Sequence, residues 1–141
     1  MSDEVHEVIQ GDGYAVGNVE ALGDGPGFRK VRRELGVTAF GVNAIEIPPG
    51  YATGRHYHEE QEELYIVTRG VLTMRFGDDI RPVGAGSVAR VEPRTARSHR
   101  NEGDEPVEMW VVSQTRDEPD AVKLDDFWEA SREAAQERPP G

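Results

Sequence analysis

Cysteine is absent from this chain of 141 residues. The sequence therefore excludes disulfides, thiolate metal sites and cysteine nucleophiles. It also lacks the run of roughly 18 apolar residues that a membrane-spanning helix needs, so we expect no membrane partner. Basic residues are few, with 16 Lys and Arg against 27 Asp and Glu and a net charge of −11. This balance argues against nucleic acid, whose binding requires a basic face.

The length and order of the segments predict one domain with two flanking stretches. Residues 1–27 are rich in glycine and acidic side chains and are expected to form an arm or an edge strand. Residues 28–115 carry the apolar runs of the main domain, and residues 116–141 form a tail. Within this tail a short C-terminal helix is expected over residues 126–137, with Asp125 as its cap. The acidic N-terminus lacks the apolar segment of a secretory signal, which favours a cytoplasmic protein.

Short apolar runs separated by glycine, proline and aspartate predict an all-β sandwich or barrel. Residues 28–35 are expected to form a strand because alternate positions differ in polarity. The further strands are expected at 36–47, 55–59, 63–68, 71–76, 80–83, 87–91, 97–101 and 107–114.

The most informative stretch of the chain runs from Gly50 to Gly70. His56 and His58 are two residues apart, so on a strand their side chains point to the same face. Two imidazoles on one face suit two nitrogen ligands to one metal ion. Glu62 or Glu63 can supply a carboxylate from the next strand.

The spacing in this stretch resembles the first motif of the cupin superfamily. Five residues separate Gly50 from His56, four separate His58 from Glu63, and six separate Glu63 from Gly70. The resemblance implies a small single-domain cupin whose double-stranded β-helix, or jelly roll, points these side chains into the barrel mouth. It also favours Glu63 over Glu62 as the carboxylate ligand. A homodimer formed through a sheet face is implied as well.

Residues 86–101 match the second cupin motif only in part. Gly86 and Asn101 fit, but Arg97 stands where the family has a third histidine ligand. In one interpretation His99, two residues further along the same face, replaces that ligand. In another, His56, His58 and Glu63 alone hold Fe, Mn, Ni or Zn, and Arg97 clamps a substrate carboxylate.

A third interpretation has no metal. Arg97 then pairs with Glu63, and the two histidines act as acid, base or hydrogen-bonding groups. Tyr51 and Tyr65 are candidates for the pocket wall in each case.

The function stays open between two classes. The first is a metal-dependent oxygenase, isomerase or lyase acting on a small, possibly acidic molecule. The second is a metal-free binding or sensing module that holds an acidic small molecule on Arg97. A weaker alternative is an acid/base isomerase of the sugar-epimerase type. That activity needs a histidine oriented by a carboxylate, and the sequence identifies no such pair.

Overall fold

A computed structural model describes residues 8–22, 27–114 and 119–124 of the chain. In this part the backbone is built almost entirely of short antiparallel strands, together with one short α-helix and a 3-10 turn at Val19–Ala21. The helix is α1 (Val31–Leu35). The strands are β1 (Ile9–Gly11), β2 (Tyr14–Val16), β3 (Gly27–Arg29), β4 (Phe40–Ile47), β5 (His56–His58), β6 (Glu63–Arg69), β7 (Val71–Phe76), β8 (Asp79–Gly84), β9 (Val88–Val91), β10 (Arg97–Arg100), β11 (Val107–Gln114) and β12 (Ala121–Lys123).

Two five-stranded sheets pack against each other around one buried core. One sheet has the order β12-β5-β10-β7-β8 and the other β3-β4-β11-β6-β9, while β1 and β2 form a separate hairpin. Alternate residues of β6, β7 and β11 are buried, in keeping with the two-residue period of a strand. The buried core consists of Ile45, Ile47, Tyr65, Val67, Leu72, Met74, Val83, Val91, Val107 and Met109. The expected all-β architecture is confirmed.

The glycines of the first motif lie at turns that a side chain would strain. Gly50 has a φ of 85° and Gly70 a φ of 78°, in the left-handed region that favours glycine. A Cβ atom at Gly70 would also lie 2.7 Å from the carbonyl oxygen of Pro106. Gly70 therefore joins β6 to β7 at a point where the backbone of a neighbouring loop leaves no space.

The strand expected over residues 28–35 is wrong for most of its length. Only Gly27–Arg29 forms a strand, and Val31–Leu35 forms α1. The backbone N–H of Gly36 bonds to the carbonyl of Arg32, and its φ of 77° gives the left-handed end of a helix. Arg, Glu and Leu favour helix, and here they outweighed an alternation too short to specify a strand.

The end of the described chain extends the first sheet. β12 pairs antiparallel with β5, with Lys123 opposite His56 and Ala121 opposite His58. The expected boundary at residue 115 assigned this segment to a separate tail, whereas it forms the edge strand beside the two histidines. The helix expected over residues 126–137 lies outside the described residues. No helix in the described part is long and apolar enough to cross a membrane.

Candidate metal centre

Three potential metal ligands converge at one end of the core. β5 places the side chains of His56 and His58 on the same face, with ring centroids 5.3 Å apart, and Glu63 begins β6. Their ligand atoms all lie within 4.8 Å of one another. Nitrogen and oxygen ligands bind such metals at about 2.0–2.2 Å, so atoms that share one ion lie no more than about 4.4 Å apart, and small side-chain shifts would bring this set onto one ion. This cluster could hold a divalent metal ion.

Asp120 fixes the orientation of His58 and is the site residue that the sequence did not reveal. Its Oδ1 lies 2.8 Å from Nδ1 of His58, and its Oδ2 accepts hydrogen bonds from the backbone N–H groups of Glu60 and Gln61 at 2.7 and 2.8 Å. Burial alone would raise the pKa of Asp120, but these hydrogen bonds outweigh it and lower the pKa to about 2. Asp120 is therefore ionised at neutral pH.

The hydrogen bond to Asp120 determines what the other nitrogen of His58 can do. An ionised carboxylate only accepts hydrogen bonds, so the shared proton belongs to Nδ1 of His58. The lone pair of Nε2 then faces Oε2 of Glu63 across 3.4 Å. Two acceptors this close repel each other, and a metal ion or a shared proton between them would relieve that repulsion. A ligand histidine that donates its other N–H to a carboxylate is typical of metal sites.

The second oxygen of Glu63 is bound by the protein. The hydroxyl of Tyr65 donates to Oε1 of Glu63 at 2.8 Å. Burial and the negative charge of Glu63 raise the pKa of Tyr65 well above its usual value, so the phenol keeps its proton. Tyr65 does line the cavity, as expected, but its hydroxyl is engaged by Glu63. Only Oε2 of Glu63 is directed towards His58.

Arg97 lies in the protein interior beside Glu63. Its side chain is fully buried, and its Nε is 3.8 Å from Oε1 of Glu63. It sits directly opposite His56 in the pairing of β5 with β10. None of its guanidinium nitrogens makes a hydrogen bond within the described part of the chain. Arg97 is not among the residues of the cavity wall, where a substrate clamp would have to lie.

His99 lies in the cavity wall but outside the three-residue cluster. It is 5% exposed, and its ring centroid is 6.2 Å from that of Tyr65. Burial, with a smaller effect of His56, lowers the pKa of His99 to about 4, so the imidazole is neutral at pH 7. His99 thus lies outside the described three-residue cluster, and its neutral imidazole is available for hydrogen bonding.

The cluster opens into a cavity of about 760 Å³. This size suits a small organic molecule. Tyr51 lines it, as expected, and Lys123 brings a basic side chain from β12. Burial lowers the pKa of His56, the carbonyl of Gly54 opposes this effect, and the charge of Arg97 adds to it. Much of the remaining wall is apolar and includes Val42, Ile45, Ile47, Val111 and Leu124.

Comparisons with known proteins agree with this architecture. A family model described as the cupin domain matches residues 43–113. A sugar phosphate isomerase of the cupin superfamily from Silicibacter pomeroyi is 28% identical, with a TM-score of 0.67 over 87% of this chain and 80% of that one. A cupin protein from Bacteroides fragilis is 18% identical, with a TM-score of 0.64 over 82% and 92% of the two chains.

A third structure is similar over a smaller part. It is a predicted oxalate decarboxylase from Thermotoga maritima, 25% identical, with a TM-score of 0.51 over 54% of this chain and 66% of that one. No curated protein matches the chain significantly.

Proposed function

The chain belongs to the cupin superfamily, and from its site we propose that it is a metal-dependent enzyme acting on a small anionic molecule. The metal would be one divalent ion held by His56, His58 and Glu63. The observation that carries the proposal is the 3.4 Å approach of Nε2 of His58 to Oε2 of Glu63. Because Asp120 holds the proton on the opposite nitrogen, a cation between these two acceptors would relieve their repulsion.

The residues around the cluster fit a metal centre of two histidines and one carboxylate. This ligand set suits Fe, Mn, Ni or Zn and leaves positions open for a substrate. When bound, such an ion supplies a Lewis acid that polarises a carbonyl or stabilises an enediolate. Asp120 orients His58, and Tyr65 holds the second oxygen of Glu63. Each ligand is therefore positioned by a hydrogen bond or by its strand.

The cavity supports a small substrate with polar and apolar parts. Much of its wall is apolar, and neutral His99 offers hydrogen bonding beside the cluster. Lys123 provides positive charge near His56. Similar chains include a sugar phosphate isomerase and a predicted oxalate decarboxylase, whose named substrates are both small anions rich in oxygen. These features favour an anionic substrate with adjacent oxygen atoms.

A second candidate function needs no metal. If a proton rather than a metal ion lies between His58 and Glu63, the imidazole of His58 is held between two carboxyl groups, those of Glu63 and Asp120. A histidine oriented by a carboxylate is what acid/base isomerisation requires, and the sequence alone did not reveal this pair. The same cavity would then bind or isomerise a small acid.

Metal content distinguishes the two candidates. We expect the purified, tag-free protein to carry about one equivalent of a divalent metal per chain, measured by plasma mass spectrometry, or to take up Co²⁺ to that level. The double variant His56→Ala, His58→Ala should keep its circular dichroism spectrum and lose the metal. His99→Gln is the matched control, because it removes a histidine from the same cavity and should retain the metal.

Other results would contradict the metal centre. Unchanged metal content in the double variant would overturn the ligand assignment. A wild type that takes up neither Co²⁺ nor Zn²⁺ would favour the metal-free candidate. Loss of metal in His99→Gln would enlarge the ligand set to four residues.

A further inference from the structure

We propose that Arg97 tunes the charge of the metal centre without touching either metal or substrate. In this role its buried charge weakens metal binding and strengthens the binding of an anion to the metal-loaded protein. The inference rests on the proposed metal function and concerns a residue at which this chain departs from the cupin pattern.

The first support is the burial of a permanent charge. The side chain of Arg97 has no solvent exposure, and its guanidinium makes no hydrogen bond to the described residues. Removing such a group from water is costly unless an opposite charge lies close to it. In the described part of the chain the ion-pair partner is Glu63, at 3.8 Å. The charge of Arg97 therefore interacts with the metal ligand Glu63 and is not screened by solvent.

The second support is the position of Arg97 relative to the cavity. It faces His56 across the β5–β10 pairing but does not contribute to the cavity wall. A ligand in the cavity therefore does not reach the guanidinium. Arg97 acts on the site through its electric field, which is strong over a few ångströms in a buried environment.

The third support is the charge balance of the site. The carboxylates of Glu63 and Asp120 contribute negative charge to the site, and Lys123 and Arg55 contribute positive charge from the cavity wall. Arg97 adds one further positive charge, which is buried beside Glu63. Arg97 therefore makes the site one unit more positive than it would be otherwise, with or without a metal. That extra positive charge favours an anionic ligand on the metal, at the expense of metal affinity.

An electrostatic role of Arg97 predicts effects of opposite sign on two ligands. Removing the charge of Arg97 should tighten metal binding and weaken anion binding to the loaded protein. Damage to the fold or to the ligand geometry would weaken both together. The pair of measurements therefore separates an electrostatic role from a purely structural one.

The test uses Co²⁺ as the metal and azide as the anion, both followed by visible absorption. We expect Arg97→Met to lower the dissociation constant for Co²⁺ about tenfold or more, because a nearby positive charge is removed. Its dissociation constant for azide on the Co²⁺-loaded protein should rise roughly threefold or more for the same reason. Arg97→Lys keeps the charge and should stay within about threefold of wild type for both ligands.

Two results would overturn the inference. One is Co²⁺ binding by Arg97→Met that is no tighter than in wild type, and the other is a change of both affinities in the same direction. If circular dichroism shows that Arg97→Met is unfolded, Arg97→Gln takes its place with the same expectations. A wild type that binds no Co²⁺ overturns the metal function and this inference with it. If wild type binds Co²⁺ and Arg97→Met has the same Co²⁺ and azide affinities as wild type, only this inference is overturned.

Discussion

Among single residues, Asp120 has the clearest consequence for the proposed metal centre. Its carboxylate accepts the hydrogen bond from Nδ1 of His58 and so leaves Nε2 available as a ligand. Asp120→Asn keeps the size of the side chain but removes its negative charge. We expect its Co²⁺ affinity to fall about 10–100-fold, the usual effect of losing such an outer partner. Isothermal titration calorimetry of wild type and variant gives both affinities.

Glu59→Gln is the matched control for this prediction. Glu59 is exposed and lies next to His58 in the sequence, but its contact with Asp120 is made by backbone N–H alone. The Co²⁺ affinity of Glu59→Gln should equal that of wild type. Equal losses in the two variants would mean that general surface charge, rather than the orientation of His58, governs binding.

His99 makes the stability of the metal-free protein depend on pH. Its pKa is about 4 in the folded protein, against 6.5 for an unperturbed histidine. Below pH 6.5 the unfolded chain binds a proton that the folded chain does not, so the free energy of unfolding decreases as pH falls towards 4. Protonation of His99 in the unfolded chain should lower the free energy of unfolding by about 2 kcal/mol between about pH 7 and pH 5.

Urea unfolding at the two pH values measures this contribution. His99→Gln should lose less stability than wild type between about pH 7 and pH 5, by roughly the same 2 kcal/mol. The lowered pKa of His56 acts in the same direction in both proteins and cancels in the comparison. The lowered pKa of Asp120, about 2, affects stability only at more acidic pH. An equal loss in both proteins would refute the prediction.

At the scale of secondary-structure elements, the turn between β6 and β7 depends on Gly70. Gly36 at the end of α1 has nearly the same φ, 77° against 78°, but a Cβ there would meet open space. Gly36→Ala should therefore lower the free energy of unfolding by only about 1 kcal/mol, the strain of placing alanine in the left-handed region. Gly70→Ala adds a clash with the backbone of Pro106 and should lower the free energy of unfolding by about 3 kcal/mol. Equal losses in urea unfolding would show that the clash is relieved cheaply.

At the scale of the whole molecule, the outer face of the second sheet predicts a homodimer. The buried cluster of Leu22, Val31 and Ala44, with Trp110 packed against it, covers one part of this face. Further along, β6 and β9 carry Leu64, Ile66 and Val88, and Val88 is 61% exposed. Apolar side chains on the outer face of a sheet favour association.

Light scattering after size exclusion tests the dimer. We expect wild type to elute as a dimer and Val88→Glu as a monomer, because a buried unpaired carboxylate is unfavourable. Ile80→Glu is the control, since Ile80 is 60% exposed but belongs to the other sheet. A monomeric wild type would contradict a dimer through the outer face of the second sheet. So would a result in which Ile80→Glu is monomeric and Val88→Glu stays dimeric.

The sequence by itself determined the fold class and the pairing of His56 with His58, and the resemblance to the cupin motif selected Glu63 as the third member of the cluster. Alternating apolar residues and turn-forming glycines encode short strands locally, and spacing along one strand fixes which side chains share a face. It did not predict α1, because five residues are too few for a periodic pattern to distinguish helix from strand.

Only the tertiary structure decided the surroundings of that cluster. Asp120 is 62 residues from His58 in the sequence, and the pairing of β12 with β5 brings them within 2.8 Å. Arg97 and His99 share a face of β10, yet one is enclosed beside Glu63 and the other reaches the cavity. Spacing specifies neighbours within a strand, whereas contacts between distant segments depend on how the sheets pack, and no local pattern records that packing.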